Sequence, residues 1–109
     1  MGNVVEFTDD SFEAEVLQSP VPVLVDFWAP HCAPCRQMMP MIEELAADNG
    51  DEVKIGKVNV DDCRETARKY GIMSIPTLMI FSGGDEVGAP MQGLQPKARI
   101  QDTIDQAKG

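Results

Sequence analysis

Residues 23 to 28, Val-Leu-Val-Asp-Phe-Trp, are an apolar run broken by a single acid. A strand buried on both faces has this composition, so the segment belongs in the middle of a sheet. Upstream, Val4 to Phe7 reads as a short strand, and Asp9-Asp10-Ser11 opens a helix whose Phe12 and Val16 share a face and which ends before Pro20. Downstream, Met38, Met39, Ile42, Leu45 and Ala46 recur at helical spacing until Asn49-Gly50 supplies a stop, with Pro40 expected to kink the helix. Val53 to Val60 is the next strand, and Asp62 with Glu65 reads as a capping box opening a short helix that Tyr70-Gly71 closes. Thr77 to Phe81 is a strong strand. The turn Ser82-Gly83-Gly84-Asp85 is short enough to return the chain antiparallel into a strand from Glu86 to Gln92, which Pro90 marks as an edge. Pro96 suits the first turn of a last helix with Ile100 and Ile104 facing inward. The predicted order is βαβαβαββα, an α/β chain with a mixed sheet.

With 109 residues and 43% hydrophobic content, residues 1-109 are expected to form a single domain. The net charge of −9 argues against nucleic acid or an anionic membrane surface as partner, since both repel an acidic protein at long range. The longest apolar stretch, Val21 to Ala29, is interrupted by Pro22 and Asp26, and no basic segment followed by an apolar one opens the chain. A soluble, unexported protein is expected. Three cysteines make an odd count, which fits a cysteine pair cycling in a reducing cytoplasm better than a secreted disulfide framework.

Two of those cysteines, Cys32 and Cys35, stand where the apolar strand gives way to the amphipathic helix. A thiolate is the nucleophile in thiol chemistry, and a helix N-terminus stabilises it through unpaired N–H groups and the helix dipole. Cys32 is therefore expected to attack and Cys35, one turn further on, to resolve. Helical neighbours three apart hold their Cβ atoms about 5 to 6 Å apart, while a disulfide wants about 3.5 to 4.5 Å, so closure requires local adjustment. A loop this short gains little stability from a cross-link, which favours exchange over a purely structural bond.

Asp26 is the one acid of the central run, and burial disfavours a charged carboxyl. A carboxyl that titrates near neutrality is able to take the Cys35 proton, directly or through water, as Cys35 attacks a mixed disulfide. The competing reading is a structural ion pair with Lys57.

The chain resembles the thioredoxin family nearly end to end. The resemblance rests on Thr8-Asp9-Asp10-Ser11-Phe12, Val25-Asp26-Phe27-Trp28-Ala29, Cys32-x-Pro34-Cys35, Pro40, Lys57-Val-Asn-Val-Asp61, Lys69-Tyr70-Gly71-Ile72, Ile75-Pro76-Thr77 and Gly93. It implies a thioredoxin fold, a five-stranded mixed sheet flanked by four helices, and a monomer that reduces disulfides in other proteins. It also implies no bound cofactor, electrons arriving from NADPH through thioredoxin reductase, and a tuning role for Lys57 beside Asp26. Pro76 matches the family's cis-proline, so Ile75, Pro76 and Gly93 with Trp28 and Pro34 are expected to form a shallow docking surface for extended substrate segments. Trp28 also suits plain core packing.

His31 and Ala33 depart from the family, which usually carries tryptophan and glycine there. A protonated His31 beside Cys32 favours the thiolate and a more oxidising couple; a solvated loop histidine has no such role. His31 is also counted with the substrate surface. Cys63 reads as an inert, partly buried thiol, Met38, Met39 and Met79 as core, and Met73 as a residue poised to meet substrate. Cys32, Cys35 and Cys63 with His31 nominally make a metal set, but adjacent His31 and Cys32 reach one tetrahedral ion poorly, so no metal is expected. A redox-independent binding subunit and a more oxidising, isomerase-like variant are the alternative functions.

Overall fold

The computed structural model describes residues 3–109. Strand β2, Val23–Trp28, lies between β3, Lys54–Asn59, which runs parallel to it, and β4, Thr77–Ser82, which runs antiparallel. Strand β1, Val4–Phe7, pairs parallel with the far side of β3. The apolar run is thus central, and its first five residues are all buried.

Alternation along β2 divides the core in two. Leu24 packs with Ile55, Leu78 and Ile80 beneath Met38, Ile42 and Leu45 of helix α1, Ala33–Asn49. Ile100 and Ile104 of the last helix complete that layer. On the opposite face Val23, Val25 and Phe27 meet Phe7, Phe12, Val16, Val58, Met79 and Phe81. By the same two-residue period, Asp26 shares the Leu24 face, the one that α1 covers. Gly50 ends α1 at φ +56°, its N–H donating to the Ala46 carbonyl, while Pro40 lies inside the helix without ending it.

Three expectations need correction. The helix expected after Asp9 is a single π-helical turn, Glu13–Leu17, in which the Gln18 N–H donates to the Glu13 carbonyl at 2.9 Å. Its opening belongs to Thr8 and Ser11, whose hydroxyls accept from each other's backbone N–H. The strand expected from Glu86 to Gln92 splits into β5, Asp85–Glu86, and β6, Met91–Gln92, both antiparallel to β4. Between them Gly88 turns at φ +73° and Pro90 has no N–H to donate, so the ladder breaks. The five-stranded mixed sheet is present, with its edge strand in two pieces.

The third correction concerns the Asp62–Glu65 capping box. Helix α2 runs from Arg64 to Lys69 with Cys63 at its cap position and no side-chain cap bond. Asp62 falls too early, because the Asn59 carbonyl accepts the N–H groups of both Asp62 and Cys63 and closes the preceding turn. The cap comes instead from Asp9, whose Oδ1 accepts from the Thr66 N–H at 2.9 Å and the Thr66 hydroxyl at 2.6 Å. These bonds hold the Asp9 carboxyl below its ordinary range. Asp9→Ala is expected to cost about 1 kcal/mol in urea unfolding at neutral pH. Because the folded-state pKa is depressed, that difference is present above the unfolded carboxylate range and fades as acid protonates the folded Asp9. The final helix, α3, runs from Lys97 to Lys108 with Pro96 at its cap position and Ile100 and Ile104 buried, as their spacing predicts.

Candidate active site

Cys32 is the cap residue of α1, in extended geometry at φ −93° and ψ 109°, and Cys35 is the third residue of the helix proper. That break from helical geometry is the adjustment the spacing requires, and the two sulfurs are joined as a disulfide with Cα atoms 5.2 Å apart. The Cys35 N–H donates to the Cys32 Sγ at 3.2 Å, so a helix-terminal donor is aimed at this sulfur. Cys32 retains 8% of its surface and Cys35 none. Pro34 supplies no N–H at a position where none is needed, and its ring is exposed beside the sulfurs.

Asp26 is fully buried, and neither carboxyl oxygen has a hydrogen-bond partner among the described residues. Burial raises its pKa to about 7, with the nearby Lys57 charge pulling the other way. Lys57 sits directly across the parallel ladder from Asp26. The direct Asp26–Lys57 ion pair considered from sequence is not formed. The Lys57 ammonium lies over the Trp28 ring, 4.6 Å from its centroid, where the ring quadrupole attracts it. Trp28 is half-buried, and its Nε1 is enclosed without an acceptor among the described residues.

The Ile75–Pro76 peptide is cis, and the Pro76 carbonyl accepts from the Gly93 N–H at 2.8 Å, which ties the two loops together. Pro76 is buried, while Ile75 and Gly93 are half-buried. His31 is exposed, and its Nε2 lies 3.3 Å from Asp61 Oδ2, an ion pair whenever the imidazole is protonated. Sequence reasoning gave Asp61 no role at the site. It reaches the site because the Val60 N–H donates to the Trp28 carbonyl, drawing the end of β3 alongside the cysteine loop.

Cys63 does not join this site. It is buried in the opposite core layer, 3.7 Å from the Phe7 carbonyl, where burial first and neighbouring acids second push its thiol up. Among the described residues no group of three or more His, Cys, Asp or Glu side chains is placed to hold a metal ion. No described helix is long and apolar enough to cross a membrane.

A cysteine pair at a helix start, closed as a disulfide at the end of β2, whose partner strand β4 directly follows a cis-proline, defines a thiol-disulfide oxidoreductase. The family model described as Thioredoxin matches residues 3–106. The chain is 50% identical over 98 residues to thioredoxin 1 of Synechococcus elongatus, covering 90% of this chain and 91% of that protein. It is 47% identical over 105 residues to thioredoxin 1 of Nostoc sp., covering 96% and 97% of the two chains. It is 46% identical over 101 residues to the thioredoxin of Bacillus subtilis, covering 93% and 94%. The chain belongs to the thioredoxin family, and it is a protein-disulfide reductase working through the Cys32-Cys35 pair.

Proposed function

We propose that Cys32 attacks the disulfide of a protein substrate and that Cys35 resolves the adduct. One observation carries the assignment: Cys32 is the residue that keeps some surface for a substrate and has a helix-terminal N–H directed at its sulfur, whereas Cys35 is sealed. In the first step the Cys32 thiolate bonds to one substrate sulfur and the other leaves as a thiolate. In the second, Cys35 loses its proton and attacks Cys32 Sγ, releasing the second substrate thiolate. Two electrons pass from the cysteine pair to the substrate, leaving the Cys32–Cys35 disulfide.

Asp26 is the acceptor we assign to the Cys35 proton. It lies on the sheet face that α1 covers, it titrates near neutrality, and no hydrogen bond competes for its oxygens. Lys57 tunes it from across the ladder and holds Trp28 in place. Around Cys32, the residues Trp28, His31, Pro34, Ile75, Pro76 and Gly93 form the docking surface. No hydrogen bond among the described residues engages the Ile75 main chain, which leaves its N–H and C=O to pair with an extended substrate segment.

His31 acts here chiefly in docking. Asp61 offsets the charge of its protonated imidazole, and exposed charges are screened, so its pull on the Cys32 thiolate is small. Electrons arrive from NADPH through a thioredoxin reductase, and the protein works as a cytoplasmic monomer without a bound cofactor. The test is turnover of a protein disulfide with NADPH and a bacterial thioredoxin reductase, together with the potential of the couple at neutral pH. Multiple turnovers and a potential near the reducing end of the thiol-disulfide range, about −270 mV, support the reading. A potential close to about −120 mV with no turnover replaces it with an oxidase-like role.

A further inference from the structure

Helix α2 ends at Lys69, and the chain that follows is held at both sides of Met73. The Ile72 N–H donates to the Ala67 carbonyl at 2.9 Å, and the Ser74 carbonyl accepts from the Thr77 hydroxyl at 2.7 Å. Ile72 turns inward onto the core layer of Phe12 and Phe81, so its neighbour Met73 turns outward and is 92% exposed. Met73 lines a groove of about 190 Å³ with Val60, Ile72, Ser74 and Ile75, four of the five lining side chains being apolar. The groove continues the active-site surface, since Ile75 precedes the cis-proline and the Val60 N–H is bonded to the Trp28 carbonyl.

Exposure singles out this thioether among the described residues. Met38, Met79 and Met91 are buried, and Met39 and Met41 are packed against the core. Cys63 is enclosed, and the Cys32–Cys35 disulfide carries no free thiolate.

We propose that Met73 is a peroxide-reactive modification site whose sulfoxide weakens docking of protein substrates, an inference that rests on the docking surface assigned above. The sulfur lone pair takes one oxygen from hydrogen peroxide: an S–O bond forms, the O–O bond breaks, and the second oxygen leaves as water with both hydrogens. Sulfur is oxidised by two electrons and the peroxide is reduced. A flexible apolar side chain becomes a polar one on the wall of a mostly apolar groove, and an extended substrate segment crossing toward Cys32 loses that contact.

The experiment treats the disulfide form with hydrogen peroxide, maps sulfoxide by peptide mass spectrometry, then reduces the disulfide and removes the reductant. Single-turnover reactions with a protein disulfide and with a small aromatic disulfide follow. The expected result is sulfoxide first at Met73, a second-order rate constant for the protein substrate lower by about three- to tenfold, and no change for the small disulfide. Met73→Gln is expected to show the same selective loss without peroxide, and Met73→Leu to keep the same rate before and after treatment. Sulfoxide appearing first at Met39 or Met41, or an unchanged protein-substrate rate with Met73 fully oxidised, overturns the proposal. A treated Met73→Leu that loses as much as the parent also overturns it. Untreated protein that fails on both disulfides instead overturns the catalytic reading, which keeps the two failures apart.

Discussion

Cys32→Ser is expected to lower protein-disulfide reduction by at least about a thousandfold, the scale on which loss of a nucleophile acts. Serine at this position still receives the Cys35 N–H, but an alcohol does not ionise near neutrality and does not displace sulfur from a disulfide. Cys35→Ser is expected to behave differently. Attack by Cys32 proceeds, resolution stops, and the mixed disulfide with substrate accumulates. Mass spectrometry of each variant mixed with an oxidised substrate protein distinguishes them: a covalent adduct with Cys35→Ser and none with Cys32→Ser. The reverse pattern makes Cys35 the attacking residue. Adducts with neither variant, and full binding with both, favour a redox-independent subunit.

Asp26→Asn is expected to stabilise the protein above neutrality by about 2 to 4 kcal/mol while slowing resolution of the mixed disulfide. The folded carboxyl titrates near 7 because it is buried without a partner, whereas in the unfolded chain it titrates in the ordinary range near 4. Between those two values the folded state holds a proton that the unfolded state has lost, so stability falls as pH rises through this interval. Below about pH 4 both states are protonated and parent and variant converge. Above about pH 7 the ionised carboxylate carries its full burial penalty, and the variant leads by the whole margin. Urea unfolding of the oxidised forms between pH 4 and 9 measures this.

Kinetics tests the catalytic half of the same claim. With a preformed mixed disulfide, the parent's resolution rate is expected to rise through neutral pH as Asp26 becomes able to accept a proton. The Asp26→Asn variant lacks that inflection. Identical profiles from pH 6 to 9 would remove Asp26 from the proton path and leave only its effect on stability.

Periodicity made much of this molecule legible in the sequence. An apolar run interrupted only by Asp26 declared β2 central, and the helical spacing of Met38, Ile42 and Leu45 declared the face α1 lays on the sheet. Cys32 and Cys35 were readable because their chemistry follows from one helix end, a local feature. Asp26 stood out as the only charge in that run, and burial alone accounts for the direction of its shift.

What escaped the sequence depends on distant partners. Nothing local says that Asp9 caps a helix beginning at Arg64, so Asp62, three residues before Glu65, read as the cap. The Lys57 ammonium had two destinations, a carboxylate and an aromatic face, and only the assembled sheet shows it over Trp28. The His31–Asp61 contact needs the end of β3 beside the cysteine loop, a juxtaposition no spacing rule encodes. Pro90 did signal an edge, but how far the edge is interrupted depends on which β4 groups find partners.

The bonds from Asp9 to Thr66 join positions 57 residues apart, and they tie a short helix to the end of the opening strand. Arg64 to Lys69 is too short to persist as an isolated helix in water, and the N–H of its third residue, Thr66, finds its acceptor on Asp9. The order of that helix therefore depends on a contact that the β1–β3 pairing positions. The loop that presents Met73 and Ile75 hangs from that helix, so the surface proposed to receive a client protein leans on a side chain delivered from just past the opening strand.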